Sequence, residues 1–456
     1  MRVLLISANT ETISMPTLPL GFACVAAATQ NAGHEVALLN LMFEGDPKVG
    51  IRTSIEDVRP EVIGISVRNI DDQNMLRPRF LLASVKEVIA SCRSFSHAPV
   101  ILGGAGYSIF PGSALGYLGA DMGIQGEGEI VFPLLLDRIG KGVEVSDLPG
   151  VHLLGHAAQA ADEGVVRPSA QNLRAYACRR TSARRQATGR KPPPRYFEKK
   201  LDKLPLPEPN LWIPPGASKR KLWVPVQSRR GCPLDCTFCS TSAIEGRAIR
   251  RRSPTRVVNW LKQLRKTGCR NFNFVDNVFN LPPDYAKTLC RQVIQAELGL
   301  HLWCLIYPKW IDAELVELMG RAGCRQISFG FESGSEEMLR SLNKRFDRKE
   351  VSTVSRMFAE EGIERMGFLL LGGPGETKDS VEESLSFADS LNLETLKITV
   401  GLRIYPQTPL ARTAVAEGVV KAEDDLLFPQ FYLQPELRDW LPERVAAYRA
   451  SRPWVN

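Results

Sequence analysis

The sequence contains no uninterrupted apolar run near the roughly 18 residues that a membrane-spanning helix requires. It also lacks a signal-peptide pattern, because the N-terminus MRVLLISANTETISMP turns polar after a short apolar run. Its ten cysteines follow no regular spacing outside one short motif, which argues against the disulfide framework of a secreted protein. We therefore expect a cytoplasmic protein that crosses no membrane and keeps its thiols reduced.

The chain carries a net charge of +8, and one segment accounts for it, so the rest of the chain has no excess positive charge. Residues 174–200 hold ten Lys or Arg and one acid, with a Pro triplet and few apolar residues. This composition is typical of a solvated linker, and a patch for an anionic partner is the alternative. A second basic run, IRRRSP (249–254), is interpreted as the approach to a helix. A nucleic-acid partner is therefore disfavoured.

The first 150 residues lack a dinucleotide-binding fingerprint but alternate short apolar strands with stretches of helical length. Strands rich in Val, Ile and Leu with helical crossovers predict an α/β, doubly wound (Rossmann-like) parallel sheet. Such a sheet binds ligands beyond the carboxyl ends of its strands. A nucleotide-dependent dehydrogenase is disfavoured, because no glycine fingerprint follows the first strand. The predicted strands cover 2–8, 35–41, 61–67, 100–106 and 122–128, and the predicted helices cover 18–32, 51–59, 76–94, 111–118 and 129–140.

A second α/β series begins after the Pro-rich stretch LDKLPLPEPNLWIPPG. Six βα units predict a partial (β/α)6 barrel, with ligands at the carboxyl ends of its strands. The predicted organisation is a ligand-binding domain over 1–150, a basic, Pro-rich linker over 151–215, the partial barrel over 216–410 and a short C-terminal extension over 411–456. That extension is interpreted as packing against the barrel, and a cap that touches substrate is the alternative. The predicted strands cover 222–228, 271–277, 300–306, 324–332, 365–372 and 395–405, and the predicted helices cover 254–267, 283–297, 312–322, 335–343, 348–361, 378–391 and 436–450.

Three cysteines in the loop after the first barrel strand, Cys232, Cys236 and Cys239, have the spacing Cys-x3-Cys-x2-Cys. No fourth Cys or His lies nearby, as a closed structural zinc site would require. Three thiolates can hold three corners of a 4Fe–4S cluster and leave its fourth iron open to a small molecule. The motif therefore favours a cluster over zinc.

The motif GCPLDCTFCS resembles the cluster loop of radical S-adenosylmethionine (SAM) enzymes. Together with the preceding doubly wound domain, the chain resembles the cobalamin-binding branch of that superfamily. The resemblance implies that SAM binds the open iron and yields a 5′-deoxyadenosyl radical on reduction. It also implies a SAM site built from the strand-end segments FVDNVF, FGFESGSEEML, GFLLLGGPGET and RIYPQTPL. The residues that match are Phe238, Asp276, Asn277, Glu332, Ser333, Gly372, Gly373 and Pro374, with Tyr405 and Thr408 facing the cavity.

The resemblance further implies a cobalamin site in the N-terminal domain, at the loops LGGAGYS and GIQGEGE. No Asp-x-His motif occurs in the chain, so the corrin would bind without a histidine on cobalt. Arg68 would lie near the lower face of the corrin, but a surface pair with Asp71 or Asp72 is equally compatible with the sequence. The residues assigned to cobalamin are Arg68, Asn69, Gly103, Gly104, Gly126 and Glu127.

These cofactors together imply a methyltransferase that acts on an unactivated carbon of a small molecule or biosynthetic intermediate. A radical cyclase or ring-rearranging enzyme is the alternative within the same fold, and an iron–sulfur carrier or sensor is the alternative of another class. A flavodoxin or ferredoxin is the expected reducing partner. The sequence assigns no catalytic acid or base.

Overall fold

The computed structural model describes residues 1–12, 16–154, 194–219 and 221–455. Most of the predicted linker, including the greater part of the basic run 174–200, lies outside the described residues. Within the described ranges, no helix is long and apolar enough to cross a membrane. The described residues form two largely parallel six-stranded sheets, each covered by helices.

The N-terminal sheet has six strands in the order β2-β1-β3-β4-β5-β6, of which only β6 is antiparallel to its neighbour. Its central strands are buried along nearly their whole length, because helices cover both faces. The strands are β1 Arg2–Ser7, β2 Glu35–Asn40, β3 Val62–Ser66, β4 Val100–Gly103, β5 Met122–Ile124 and β6 Val151–Leu153. The helices are α1 Leu20–Asn31, α2 Pro47–Val58, α3 Leu82–Phe95, α4 Ala105–Ile109, α5 Pro111–Leu118 and α6 Gly128–Lys141.

The second sheet is an open six-stranded parallel sheet in the order β14-β13-β12-β11-β10-β7. Its strands are β7 Val224–Val226, β10 Asn271–Phe274, β11 His301–Ile306, β12 Cys324–Glu332, β13 Glu364–Leu371 and β14 Thr395–Val400. Two short pairs accompany it, β8 Arg229–Arg230 with β9 Arg250–Arg251, and β15 Leu402–Arg403 with β16 Phe431–Tyr432. The predicted fold class, a doubly wound domain followed by a partial barrel, is confirmed.

Four helices of this second unit begin at a side-chain cap, at Asp312, Asp347, Thr377 and Thr408, and those at Asp347 and Thr377 are capping boxes. Short helices are α7 Pro209–Trp212, α8 Thr241–Glu245 and α12 Glu336–Ser341. The longer ones are α9 Pro254–Arg265, α10 Pro283–Gln295, α11 Ala313–Arg321, α13 Arg348–Glu360, α14 Lys378–Ser390, α15 Pro409–Ala416 and α16 Leu441–Ala450.

The described structure differs from the sequence interpretation in several places, three of which concern the N-terminal domain and the predicted linker. Helix α3 starts six residues later than predicted, because Asp71, Asp72 and Asn74 accept hydrogen bonds from nearby backbone amides and hold the preceding residues in turns. Strand β6 extends the N-terminal sheet beyond residue 150. Residues 201–213 of the predicted linker are packed rather than solvated, with Leu201, Leu204 and Trp212 buried.

The C-terminal extension packs against the barrel sheet. Tyr432 pairs with Leu402 in the β15–β16 ladder and is 1% exposed. Leu433 and Leu441 join the barrel core. These residues of the extension therefore pack into the protein core, as the first of its two interpretations predicts.

Candidate functional site

The three motif cysteines lie in one loop between β8 and α8, at the carboxyl end of β7. All three thiols are free; Cys232 is buried, whereas Cys236 and Cys239 are partly exposed. Burial raises the pKa of Cys232 to about 11, and the neighbouring Cys239 and Cys236 raise it further. Among the described residues, no three His, Cys, Asp or Glu side chains are arranged to hold a single metal ion. Three free thiols in one loop suit a 4Fe–4S cluster, because each thiolate binds a different iron at a different corner of the cluster.

The loop is held from both sides by backbone hydrogen bonds. Cys232 N donates to Gly246 O at 3.1 Å, and Thr237 N donates to Leu342 O at 3.2 Å. Gly231 has φ +89°, and a Cβ there would lie 2.1 Å from Ala248 O, so only glycine fits before the first cysteine. These two hydrogen bonds and the glycine therefore anchor the loop to the residues on either side of it.

Glu332 ends β12 in a strained conformation and is buried. Its φ is +61°, and the β12–β13 register shifts between Gly330 and Glu332. A non-glycine residue in this region costs free energy that the surrounding structure must offset, and such residues cluster at functional sites. Glu332 Oε1 accepts a hydrogen bond of 3.0 Å from Lys344 Nζ. The Lys344 ammonium also lies 5.1 Å from the centre of the ring of Phe238, which stands between Cys236 and Cys239 in the loop. The structure thus brings the predicted SAM residues Phe238 and Glu332 together beside the cysteine loop.

Asp276 and Ser333, two of the predicted SAM residues, lie inside the protein at strand ends. Asp276 is 0% exposed, and its two carboxylate oxygens accept hydrogen bonds from Ser228 and Arg229. Ser333 shares a hydrogen bond with Ser384 and accepts another from Ser335 N. A buried carboxylate needs partners of this kind, and these hydrogen bonds fix the strand ends. Direct contact of Asp276 and Ser333 with SAM stays a prediction.

Glu245, which the sequence interpretation missed, is a central polar residue of the site. It accepts hydrogen bonds from Gly231 N, Gln227 Nε2 and Asn277 Nδ2. Burial raises the pKa of Glu245 and these hydrogen bonds oppose the rise. Glu245 lines a cavity of about 500 Å³ beside Cys236 and Cys239, and it also lines a cavity against the N-terminal domain. Its only sequence signal is a glutamate on the short helix after the third cysteine.

The GGPG turn after β13 is closed by a buried glutamate. Glu376 Oε2 accepts hydrogen bonds from Gly372 N and Gly373 N, while its Oε1 is buried without a hydrogen-bond partner among the described residues. A Cβ on Gly372 would meet Leu433 at 2.3 Å, and one on Gly373 would meet Met338 at 3.2 Å. Both glycines therefore face packed side chains, and Pro374, which is half-buried, is the most accessible of the three predicted residues.

Replacing Glu376 with Gln is expected to stabilise the protein above neutral pH. Burial raises the pKa of Glu376 from 4.5 to about 7. The folded state then binds a proton more tightly than the unfolded state, so stability falls as pH rises from 4.5 to 7. This shift corresponds to a loss of about 3 kcal/mol that Gln would not suffer. Urea unfolding of both proteins at pH 5 and pH 8 measures the difference, with the exposed Glu337→Gln as the control. Equal pH dependence in wild type and Glu376→Gln would contradict the expectation.

A cavity of about 370 Å³ lies between the N-terminal domain and the barrel, beyond the carboxyl ends of β1, β3, β4 and β5. Gly103, Gly104 and Gly126 line it. A Cβ on Gly103 would meet no protein atom within 4 Å, so this backbone is open to a ligand. Gly104 has φ +103°, and a Cβ there would lie 2.5 Å from Val67 O. Leu5, Ile65 and Ile101 give the cavity an apolar lining, and its glycines leave backbone open to a bulky cofactor.

Arg68 projects from the end of β3 into this cavity. It does not form the surface pair with Asp71 or Asp72 that the sequence also allowed. Asp71 is instead paired with Arg403 at 2.8 Å, and Asp72 with Arg79 at 3.1 Å. Within the described ranges Arg68 makes no ion pair, and its side chain is exposed. Asn69 lies beside it, in a separate small hollow at the edge of the same crevice.

Glu127, which the resemblance assigns to cobalamin, lines this cavity and also joins the two domains. One carboxylate oxygen pairs with Arg250 and Arg230, and the other accepts from Glu198 N at 2.9 Å. Glu129 pairs with Arg230 in the same buried network. These pairs offset the cost of burying the Glu127 carboxylate and hold it in the cavity wall, and its contact with cobalamin stays a prediction. The basic run IRRRSP supplies Arg250 to this network, which agrees with its structural interpretation.

Family comparisons agree with this two-part architecture. The B12 binding domain model matches residues 6–136, and the Radical SAM superfamily model matches residues 226–388. The chain is 24% identical over 450 residues to the tryptophan 2-C-methyltransferase of Streptomyces laurentii, covering 89% of this chain and 73% of that protein. It is 25% identical over 458 residues to the cytidylyl-2-hydroxyethylphosphonate methyltransferase of Streptomyces wedmorensis, covering 90% and 80%.

Solved structures with the same fold include two proteins. The radical SAM methyltransferase TsrM of Kitasatospora setae, bound to tryptophan and a SAM analogue, superposes with a TM-score of 0.79 at 23% identity, covering 99% of this chain and 89% of that chain. The cobalamin-dependent radical enzyme OxsB, bound to aqua-cobalamin and SAM, superposes with a TM-score of 0.76 at 16% identity, covering 98% and 66%. At these identities the likeness establishes the fold.

Proposed function

We propose that this chain is a cobalamin-dependent radical SAM methyltransferase, because the Radical SAM superfamily model matches residues 226–388 and the B12 binding domain model matches residues 6–136. Its substrate would be a small molecule or biosynthetic intermediate, which would be methylated at an unactivated carbon. The observation that carries the proposal is the position of Glu245, which lines both the cavity at the cysteine loop and the cavity at the N-terminal strand ends. A substrate near Glu245 would therefore lie within reach of both cofactor sites.

The cofactors would supply the difficult chemistry, with a reducible cluster that activates SAM and a cobalamin that carries the methyl group. The residues of this chain would bind, orient and enclose them. Cys232, Cys236 and Cys239 would ligate the cluster, and Glu332 would hold a polar group of SAM. Asn277, oriented by Glu245, would present its amide at the end of β10. Electrons would come from a partner such as a flavodoxin or ferredoxin.

Replacing Arg68 with Ala is expected to change the electron paramagnetic resonance spectrum of bound cobalt(II). A guanidinium carries no free lone pair, so Arg68 near the lower corrin face would obstruct coordination without acting as a ligand. The wild-type spectrum should lack nitrogen splitting from a lower ligand. The Arg68→Ala spectrum should show stronger hydration of cobalt. Nitrogen splitting in wild type, or identical spectra for the two proteins, would contradict this assignment.

The two activities possible in this fold differ in what becomes of SAM. A strain that expresses the chain is grown on methyl-deuterated methionine and compared with a strain expressing the protein with all three motif cysteines changed to Ala. Methyl transfer predicts a metabolite that carries a trideuteromethyl group only in the first strain. With purified protein and that metabolite's precursor, S-adenosylhomocysteine should accompany 5′-deoxyadenosine. An unlabelled product formed with 5′-deoxyadenosine alone would replace the proposal with radical cyclisation or rearrangement.

A further inference from the structure

Lys344 is a buried cation beside the cysteine loop to which neither the sequence interpretation nor the proposed mechanism gives a role. It lies in the segment after α12, and its side chain is 5% exposed. Burying an ammonium costs several kcal/mol in free energy unless partners compensate it, as order-of-magnitude values for buried ions show. The residues that contact the Lys344 ammonium therefore indicate the role of its positive charge.

One carboxylate and three aromatic rings surround the Lys344 ammonium. Glu332 of β12 accepts its hydrogen bond at 3.0 Å. The ring centres of Phe238, Tyr307 and Phe346 lie 5.1, 5.9 and 6.0 Å from Nζ. Aromatic faces at these distances attract a cation and keep water away from it. The ammonium is therefore held in place at the edge of the cysteine loop.

Stability alone explains this arrangement poorly. A buried ion pair contributes little more than apolar side chains of similar volume would, and Glu332 adds the cost of a positive φ. The Lys344 ammonium also lies over the ring of Phe238, which stands between the predicted cluster ligands Cys236 and Cys239. A cluster held by three thiolates is an anion and gains one further negative charge when it is reduced. A fixed cation beside one of those thiolates favours the more negative state.

We propose that Lys344 is a positioning residue that raises the reduction potential of the cluster by holding a positive charge beside the cysteine loop. This inference rests on the proposed function for the presence of the cluster. One electron passes from a low-potential donor of the flavodoxin or ferredoxin type to the cluster, and no covalent bond forms or breaks. Lys344 stabilises the product of that step, and Glu332 opposes it by placing a negative charge next to the ammonium.

The test is a redox titration of the anaerobically reconstituted full chain, monitored by electron paramagnetic resonance without SAM or substrate. Lys344→Met should shift the midpoint potential to a more negative value, and Lys344→Arg should restore it toward that of wild type. Glu332→Gln should shift it in the positive direction. Lys287→Met is the matched control, because Lys287 is also largely buried and pairs with Asp312 and Glu314, between α10 and α11 on the outside of the barrel.

A Lys344→Met protein that holds a full cluster and titrates like wild type would overturn the inference, as would an equal shift in Lys287→Met. If Lys344→Met holds less iron than wild type, Glu332→Gln decides, and an unchanged midpoint in that variant overturns the inference. The result is separable from the proposed function. A wild-type protein that assembles no cluster contradicts the proposed function itself, whereas a cluster with an unshifted potential contradicts only the role of Lys344.

Discussion

Replacing Cys232, Cys236 and Cys239 together with Ala is expected to abolish the visible absorption of the reconstituted cluster and all SAM cleavage. These three thiols lie in one loop whose backbone is held by hydrogen bonds from Cys232 and Thr237, so the loop should keep its place without them. Loss of every thiolate leaves the cluster without a protein ligand. Iron and sulfide content with the absorption spectrum after anaerobic reconstitution measure the effect.

The matched controls are the buried cysteines of the barrel. Cys269, Cys290, Cys304 and Cys324 are all free and each is at most 2% exposed. Burial raises the pKa of Cys290 to about 12, as is typical of an inert structural thiol. Single Ala replacements at these positions should retain the full cluster. A triple variant of the motif that still assembles a complete cluster would refute the ligand assignment.

Replacing Glu332 with Ala is expected to weaken SAM binding by roughly 10-fold or more and to destabilise the protein. A hydrogen bond to a charged group contributes about 1.5–3 kcal/mol to binding, which corresponds to this loss of affinity. The same change leaves the Lys344 ammonium buried without its carboxylate, which costs about 3–5 kcal/mol of folding free energy. Titration of cluster-loaded protein with SAM measures the first effect, and urea unfolding measures the second.

The Glu332→Gln variant separates these two effects. Gln keeps the volume and a hydrogen-bond acceptor for Lys344 but removes the charge, so it should fold better than the Ala variant and still bind SAM more weakly than wild type. Iron content should equal that of wild type in both variants. Unchanged SAM affinity in Glu332→Ala would remove Glu332 from the SAM site.

Sequence periodicity was sufficient for the fold, because buried parallel strands must be continuously apolar and helices between them must be amphipathic. Strands such as β12, Cys324–Glu332, match their predicted bounds. Strand β6 was missed since three residues carry too little pattern, and its pairing is fixed by a tertiary neighbour. Helix α3 was overextended because side chains of the preceding loop satisfy backbone amides locally.

Individual roles at the site were less predictable, because they depend on where each side chain points. Asp276 and Glu127 occur in motifs that suggest ligand contact, yet their carboxylates are already satisfied by Ser228 and by Arg250. Glu245 lacks a distinctive motif, and only its position between two cavities shows its importance. Lys344 likewise gains significance from Cys236, a residue more than 100 positions away in the sequence.

The most direct measurement of the central claim follows the methyl group of SAM in the absence of substrate. Reconstituted protein loaded with cobalamin is reduced and given methyl-labelled SAM, and the protein-bound cobalamin is then separated and counted. The account predicts label in the cobalamin fraction, matched by S-adenosylhomocysteine, and loss of both when the protein is loaded without cobalamin. Formation of 5′-deoxyadenosine alone, with no label on cobalamin and no S-adenosylhomocysteine, would contradict methyl transfer through cobalamin.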